Sequence, residues 1–363
     1  MSDVTLTPTV SPVSALPTIG LDVGDRSTEL CALDAATGAI TERQRVPTTL
    51  EGLARRFATR PPARIVLECG THSPWMSRQL AGYGHEVLVA NSRRVALIAQ
   101  NDSKTDAVDA ELLARLGRVD PALLKPITHR GPQAQADLAL LRTRDALVRG
   151  RTRLVNHVRG TVKSVGARLT ACSTESFPRH VALELPAELR PVLEPVLDQI
   201  TQLTQQIARY DAEVERRCTE RYPETAPLRQ IAGVGPLTAL AFVLTLEDPH
   251  RFPRSRAVGS FLGLRPRKRA SGDRDPECHI TKAGDEFLRR LLVSSAHYIL
   301  GPFGPDTDLR RWGLALAARG RKAAKKRAVV AVARKLAVLL HHLWLTQEAY
   351  VPLRPRRARG PAA

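Results

Sequence analysis

Residues 18–49 read TIGLDVGDRSTELCALDAATGAITERQRVPTT, and this stretch decides the fold class. TIGLDVG predicts a first β-strand, and TELCALDAATGAITERQRVPTT predicts two more strands. These two are joined at Thr37 and Gly38, since glycine adopts the positive φ of tight turns. The stretch therefore predicts a meander of three strands.

Alternating helices and strands follow the meander. ARIVLECG (63–70) predicts a buried fourth strand, WMSRQLAGYG (75–84) a helix and HEVLVA (85–90) a fifth strand. A meander followed by this alternation indicates an α/β sheet of mixed direction.

The apolar period changes over 133–220, where no strand pattern remains. Apolar residues recur there at alternating spacings of three and four, at Leu193, Val196, Ile200, Leu203, Ile207, Tyr210 and Val214. This is a heptad pattern and predicts a coiled coil. The predicted division is a disordered tail over 1–17, an α/β domain over 18–125, a helical coiled-coil arm over 126–222, a mainly α-helical domain over 223–347 and a basic tail over 348–363.

The first half of the arm is strongly basic. Over residues 140–169, beside the single acid Asp145, it carries Arg142, Arg144, Arg149, Arg151, Arg153, Arg159, Lys163 and Arg168. One interpretation is an antiparallel hairpin that packs on itself, with these side chains in water. The other is a basic helix that follows a nucleic-acid backbone or pairs with a second protomer.

The whole chain of 363 residues has a formal net charge of +19. Such a charge concentrates polyanions, and binding to phosphates gains from counterion release. A basic peripheral membrane protein would have a similar balance, but neither terminus offers a clear anchor. Nucleic acid is therefore the preferred partner.

The other bulk features indicate a cytoplasmic, prokaryotic protein that associates with the nucleoid when bound to DNA. The five cysteines are scattered and form no CxxC pair, which argues against a disulfide framework and a cysteine-rich zinc site. The start of the chain lacks the pattern of a signal peptide, and we expect no membrane-spanning segment.

Two acids occupy unusual places on predicted strands. Asp22 lies in the middle of Gly-Leu-Asp-Val-Gly, where a carboxylate needs a partner. Glu68 ends the apolar strand Ile-Val-Leu, and the end of a rigid strand is a common place for chemistry.

A second pair of acids lies in SKTDAVDAE (103–111). Ser103 is expected to cap a helix, with Asp106 completing a capping box. Asp106 and Asp109, three residues apart, then project from the first helical turn. Taken alone, they could be ordinary acids of a helix N-terminus. Together with Asp22 and Glu68, they form a set that could hold two Mg²⁺ ions, with Mn²⁺ as a substitute.

Two further motifs lie in the C-terminal part. IAGVGPLTA (231–239) contains Gly233 and Gly235 before a helix that starts with proline, and such a turn can present backbone N–H groups to a DNA phosphate. Downstream, Ser271 follows a basic run and precedes ITKAG. A serine needs positioned phosphate and a base or metal to act as a nucleophile. The positioning cations are Arg265, Arg267, Lys268, Arg269 and Lys282.

In this order GLDVG, LECG, KTDAVDA, IAGVGPLTA and GLRPRKRASG…HITKAGDEFLRRLL resemble the insertion-sequence transposases of the DEDD type, the IS-one-ten family, relatives of the Piv DNA invertase. The resemblance implies a ribonuclease-H-like, RuvC-type domain with a metal-binding tetrad of Asp22, Glu68, Asp106 and Asp109. It implies that Ser271 is a nucleophilic serine in a C-terminal transposase domain.

The resemblance also implies partners. These are DNA at the element ends and target, a structured bridge RNA encoded by the element, and a second copy of the chain. A homodimer or homotetramer would bring the serine to the carboxylates of a neighbouring protomer.

Three alternatives stay open at the level of the sequence. A sugar kinase or actin-like ATPase also opens with a strand like GLDVG, but the chain lacks the later glycine motifs of those proteins. A RuvC-type junction resolvase or nuclease shares the tetrad and would not use Ser271. A non-catalytic DNA- or RNA-binding protein would use the acids structurally.

Overall fold

The computed structural model describes residues 16–98, 105–269, 271, 276, 278–320 and 322–353. Contacts within the chain divide it into two compact units, Met1–Arg130 and Gly131–Ala363, called here the N-terminal and C-terminal units. Of the predicted tails over 1–17 and 348–363, residues 1–15 and 354–363 lie outside the described residues; within the second, the N–H of Tyr350 donates to Gln230 and the carbonyl of Pro352 accepts the N–H of Asp308.

The N-terminal unit is built on a five-stranded mixed sheet, as the sequence predicts. Its strands are β1 (Thr18–Val23), β2 (Ser27–Leu33), β3 (Ile40–Pro47), β4 (Arg64–Glu68) and β5 (Glu86–Ala90). They are ordered β3-β2-β1-β4-β5, with β1, β2 and β3 antiparallel and β1, β4 and β5 parallel. The predicted turn between β2 and β3 is present, with Gly38 at a φ of 71°.

Both faces of this sheet are covered, which explains the continuous apolar run of β4. The helices are α1 (Leu50–Phe57), α2 (Ser73–Gly82), α3 (Ser92–Ile98) and α4 (Asp106–Val119). Leu21 and Leu67 share one core with α1 and α2, whereas Val66 packs on the opposite face with Leu113 of α4.

The start of α4 differs from the expectation. The N-cap is Thr105, which has an extended backbone and whose hydroxyl accepts the Val108 N–H at 3.4 Å. Asp106 is thus the first helical residue and cannot complete a capping box with Ser103, which lies outside the described residues. The prediction of the cap was wrong because a hydroxyl two residues closer to the helix takes that role. Asp106 and Asp109 lie in the first turn, as predicted.

The C-terminal unit begins with a long antiparallel helix pair. α5 (Pro132–Ser164) packs on α7 (Arg190–Glu220), with the short α6 (Phe177–Glu184) between them in sequence. Arg144 bonds to Asp211, and Arg151 bonds to Thr204. These contacts show the hairpin that packs on itself.

The heptad positions of α7 are not equally buried. Leu193, Ile200, Ile207 and Val214 are buried, whereas the alternate positions Val196, Leu203 and Tyr210 are half-buried. One half of the heptad pattern is therefore explained by packing within the chain, and the coiled coil stays a prediction.

The remaining helices form the largest core of the chain. They are α8 (Thr225–Leu228), α9 (Pro236–Leu246), α10 (Arg256–Phe261), α11 (Glu286–Leu300), α12 (Asp308–Ala317) and α13 (Lys322–Thr346). Residues 238–246 of α9 are buried throughout, so α9 is the centre of this core. Leu138 of α5 and Val214 of α7 belong to the same core, so the base of the helix pair and the C-terminal helices pack together.

The expectation of no membrane-spanning segment needs one correction. In the part of the chain that the structure describes, residues Ala323–Thr346 of α13 are long and apolar enough to cross a membrane by length and composition. However, Val332, Leu336 and Leu340 are fully buried in the core around α9. The apolar length of α13 is thus explained by packing inside this unit.

Candidate active site

Asp22 and Glu68 lie side by side at the ends of two adjacent parallel strands. The register pairs Leu21 with Leu67, so the next residues along, Asp22 and Glu68, are neighbours. Leu21 and Leu67 face the α1–α2 core, and side chains alternate between the two faces of a sheet. The two carboxylates therefore lie on the other face, the one covered by α4, and both are half-buried.

The first turn of α4 lies at the same end of the sheet. A Cβ built on Gly20 would be 1.9 Å from the carbonyl oxygen of Ala110, and one on Gly117 would be 2.3 Å from Val66 and 3.6 Å from Thr18. Helix α4 thus runs antiparallel to β1 in close backbone contact, and its N-terminus lies beyond Gly20, towards Asp22.

All four acids predicted for the tetrad are therefore brought to one end and one face of the N-terminal unit. Asp109 is half-buried beside Ala110, and Asp106 is exposed at the first position of α4.

A fifth carboxylate, Glu29, joins this group and is not among the site residues predicted from the sequence. The antiparallel register pairs Asp22 with Glu29, and Glu29 with Arg45. The hydrogen bond from Arg45 to Glu29 raises the pKa of the Arg45 guanidinium, and the charge of Asp106 adds to this effect. The signal in sequence is the alternation of STELCAL, which places Glu29 on the face of Cys31.

These donors fit a divalent cation in chemistry and general placement, because hard cations prefer carboxylate oxygens. Among the described residues, however, no group of three or more His, Cys, Asp or Glu side chains is close enough to hold a metal ion. The fold thus brings carboxylates to one end of the sheet, but the described residues do not form a complete set of metal ligands there.

The loop after Glu68 is held by a small hydrogen-bond network. The hydroxyl of Ser73 donates to the Gly70 carbonyl at 2.8 Å and accepts the Gly70 N–H at 3.0 Å. Ser73 Oγ also lies 2.8 Å from Nε2 of His129, and Ser92 donates to the carbonyl of Cys69 at 2.8 Å. Burial, and then the charges of Arg78 and Arg130, lower the pKa of His129, so the neutral imidazole is favoured.

A second histidine connects two loops at this end of the sheet. Trp75 donates its indole N–H to Nδ1 of His72 at 3.1 Å, so the ring proton of neutral His72 lies on Nε2. That nitrogen is 3.3 Å from the carboxylate of Asp25, in the loop after Asp22. The loops that follow Asp22 and Glu68 are therefore tied to each other.

In the C-terminal unit, Ser271 lies on an exposed loop. The N–H of Arg267 donates to the His279 carbonyl, and the N–H of Thr281 donates to the Arg265 carbonyl, each at 2.9 Å. This antiparallel pairing places Ser271, which is exposed, in the connecting loop. The neighbouring residues 270, 272–275 and 277 lie outside the described residues.

The cations predicted to position a phosphate share this exposed region. Five cations on the two paired segments and next to them are exposed, Arg265, Arg267, Lys268, Arg269 and Lys282. Lys282 adopts a positive φ of 53° just after the pairing.

The predicted glycine turn before α9 is present. Gly233 has a φ of 91°, and a Cβ there would be 2.8 Å from the ring of Tyr298, so the turn packs closely on α11. Gly235 is the N-cap residue of α9, whose first residue is Pro236. The turn lines an open groove of about 460 Å³ together with Arg229 and Ser294. Phosphate binding by this turn stays a prediction.

Comparison with known proteins then identifies the family. A model described as a transposase of the DEDD, IS110 type matches residues 19–166. A model described as the transposase IS116/IS110/IS902 family matches residues 225–306. The two matches together cover more than half of the chain. The chain belongs to this family of insertion-sequence transposases.

Full-length relatives of this transposase are similar over most of their length. A putative transposase y4pF/y4sB of Sinorhizobium fredii is 29% identical over 95% of this chain and 87% of the relative. The transposase for insertion sequence element IS1111A of Coxiella burnetii is 29% identical over 92% and 90%. A probable family 20 transposase of Pseudomonas aeruginosa is 29% identical over 82% and 88%.

The family predicted from the motifs is thus confirmed, and the protein is a DNA-recombining enzyme. Its mixed sheet and mostly helical remainder agree with a DEDD transposase. The first family model includes all four predicted tetrad acids, and the second includes the glycine turn and Ser271.

Proposed function

We propose that this transposase cuts and rejoins DNA strands at the ends of its insertion element and at the target, in a RuvC-like N-terminal domain that uses Asp22, Glu68, Asp106 and Asp109. The observation that supports this is the register of β1 and β4, which makes Asp22 and Glu68 neighbours below the first turn of α4. Two Mg²⁺ ions, or Mn²⁺ in their place, would be held by these four acids and would supply an activated attacking oxygen and a stabilised leaving oxygen.

The four acids are held in place by different elements of the fold. Asp22 and Glu68 are fixed by the sheet, whereas Asp106 and Asp109 depend on the capped start of α4. The helix N-terminus carries a partial positive charge, which lowers the cost of two acids in one turn. Arg45 neutralises Glu29, so the fifth carboxylate adds little negative charge to the site.

Ser271 is the proposed nucleophile for a covalent protein–DNA intermediate. Its Oγ loses a proton and forms a bond to phosphorus, while the bond from phosphorus to a sugar oxygen breaks and that oxygen takes up a proton. Attack by a sugar hydroxyl of another strand then releases the serine and rejoins DNA, so the number of phosphoester bonds is conserved. Exposure of Ser271 and the nearby cations Arg267, Lys268 and Arg269 support this role.

The assembly and the RNA are part of the same proposal. A homodimer or homotetramer would let the serine of one protomer act with the carboxylates of another, and a bridge RNA would select donor and target DNA. The net charge of +19 supports nucleic acid as the partner. Such an enzyme would act in the cytoplasm, at the nucleoid.

The test combines the purified full-length protein with Mg²⁺, element-end DNA, target DNA and RNA transcribed from the non-coding flank of the element. Recombinant product and covalent protein–DNA adduct are measured for the wild type, Asp106→Asn and Ser271→Ala. Asp198→Asn removes an exposed acid of α7, and Ser77→Ala removes a hydroxyl that donates within α2, so both serve as matched controls.

We expect product to disappear in Asp106→Asn and Ser271→Ala, adduct to disappear in Ser271→Ala, and both controls to keep activity. Cleavage that survives Ser271→Ala but requires Asp106 and Mg²⁺ would contradict the serine step and leave a nuclease of the RuvC type. A reaction without the RNA tests guidance separately. Product formed in that reaction would contradict the role of the bridge RNA and leave the rest of the proposal standing.

A further inference from the structure

The basic residues of the arm fall into two groups that the sequence does not distinguish. Towards the base of α5, four arginines are paired with acids of the same unit. These pairs are Arg142 with Asp285, Arg144 with Asp211, Arg149 with Asp145 and Arg151 with Glu175. The pairs of Arg142, Arg144 and Arg151 join α5 to other segments of the unit, and the pair of Arg149 lies within α5.

Towards the far end of α5 the pairing stops. Arg159, Lys163 and Arg168 make no ion pair with a carboxylate among the residues that the structure describes. These three cations and Gly166, Ala167 and Leu169 line a cavity of about 610 Å³, called here the tip groove. Lys163 and Arg168 are exposed to solvent.

The chain builds the tip groove by ending a helix and turning back. Helix α5 ends at Ser164, and Gly166 adopts a φ of 82°, which reverses the chain. The loop is then anchored where the N–H of Thr170 donates to the carboxylate of Glu184 at 2.8 Å. Because Gly166 and Ala167 have little or no side chain, a ligand can approach the backbone of this turn closely.

Arg159 is held in place from one side of the groove. Its guanidinium lies over the ring of Phe177, 5.0 Å from the ring centre, and Phe177 is fully buried. One terminal guanidinium nitrogen donates to Cys172 Sγ at 4.0 Å, and stacking on an aromatic face leaves the other N–H groups in the guanidinium plane able to donate. This arginine is therefore oriented before any ligand arrives.

The local charge balance is positive. Glu184 is the carboxylate near Arg159, and its hydrogen bonds from Thr170 lower its pKa, so it stays ionised. Three cations line the groove, Glu184 lies near one of them, and the last carbonyl groups of α5 contribute only a partial negative charge. An excess of unpaired, partly oriented cations in a concave site favours an anion with several oxygens.

We propose that the tip groove binds the phosphodiester backbone of a nucleic acid, apart from the chemistry at the carboxylates and Ser271. This rests on the proposed function, because recombination supplies DNA and a guide RNA as polyanions. The lining favours a backbone over an acidic peptide, since three of its six residues are cations, two are the small residues Gly166 and Ala167, and none is aromatic.

The test compares two double variants that lose the same charge. Lys163→Gln/Arg168→Gln removes the exposed cations of the tip groove. Arg153→Gln/Arg209→Gln removes two exposed arm arginines that line no part of it and have no carboxylate partner among the described residues. Affinity of the full-length protein for short duplex DNA and duplex RNA of arbitrary sequence is measured in EDTA over a series of salt concentrations.

We expect the tip variant to reduce the steepness of the fall of log affinity with log salt concentration by about 2, because each lost phosphate contact reduces it by about 1. At 0.15 M salt this corresponds to a loss of roughly ten- to thirtyfold in affinity. The probe that shows the loss, DNA, RNA or both, identifies the source of the backbone.

An unchanged salt slope in the tip variant, or an equal loss in the control variant, would overturn the proposal. Circular dichroism and the thermal midpoint check that both variants are folded. Because the assay contains no Mg²⁺ and leaves Asp106 and Ser271 intact, its outcome is independent of whether the proposed recombination chemistry is correct.

Discussion

The acids of the N-terminal unit and the arginines of the helix pair are both charged side chains on regular elements, but packing uses them in opposite ways. Asp22 and Glu68 are gathered at one end of a sheet with the start of α4. The arginines near the base of α5 are instead distributed among separate acids. Several carboxylates close together indicate a catalytic site, whereas arginines that each pair with one acid hold the helices together.

The strongest test of this comparison is Asp22→Asn against Glu29→Gln. If Asp22 holds a metal ion, recombination should fall on the order of a thousandfold or more, since such an ion supplies several kcal/mol of transition-state stabilisation. Glu29 is hydrogen-bonded to Arg45 and should support the site without binding the metal ion itself. Recombination in Glu29→Gln should therefore fall by about ten- to a hundredfold. Product formation across a Mg²⁺ titration measures both, and equal losses would place Glu29 among the metal ligands.

The next effect concerns architecture. Asp137 is fully buried and is contacted by Arg217, Arg221 and Tyr222. Asp137→Asn should lower the free energy of unfolding of the C-terminal unit by about 3 kcal/mol, because a neutral amide at this buried position no longer compensates the charge of Arg217, which is mostly buried. Asp198→Asn, on the exposed side of α7, should stay within about 0.5 kcal/mol. Hydrogen exchange of α5 and α7 amides measures the change, and two similar values would show that the buried pairing adds no stability.

A smaller loss should follow Gly20→Ala, which pushes a methyl group against the backbone of α4. The unit should lose about 1 to 3 kcal/mol, as overpacked cores do. Gly82→Ala is the control, since an added Cβ there meets nothing within 4 Å. Hydrogen exchange in β1 and β4 reports the difference. If hydrogen exchange is unchanged in Gly20→Ala, α4 does not pack on β1 as closely as described.

The smallest predicted effect is a dependence on pH through His129. Its pKa in the folded state lies below the ordinary value near 6.5, so above that value the histidine is neutral in both states and has no effect. As pH falls below about 6.5, the unfolded chain takes up a proton that the folded chain resists, and stability decreases. Urea unfolding from about pH 7.5 to about pH 5.5 should show a shallower decrease in His129→Gln. Identical profiles for the two proteins would count against this histidine.

The sequence predicts the strands and their acids well because both follow local rules. Alternation identifies β1 and β2, and an apolar run that ends in Glu68 identifies β4, without knowledge of distant residues. The register of β1 and β4 then makes neighbours of Asp22 and Glu68, which spacing alone could only suggest.

The sequence predicts less where a choice depends on distant partners. Arg142 pairs with Asp285, 143 residues away, while Arg168 has no carboxylate partner among the described residues, yet both are arginines in the same basic stretch. The contact of Ser73 with His129 likewise joins residues 56 apart. The start of α4 was misplaced for a local reason, since Ser103 and Thr105 are both suitable caps.

The close approach of α4 to β1 has a consequence for how this enzyme tolerates change. Where Gly20 meets the backbone of Ala110, no side chain of variable length separates helix from strand. Substitutions among the larger residues of the surrounding cores can therefore accumulate with little effect on the spacing between the strand acids and the helix acids. Gly20 and Gly117 keep α4 at a constant distance from the sheet. We therefore expect a larger side chain at either glycine to impair catalysis more than substitutions elsewhere in the unit.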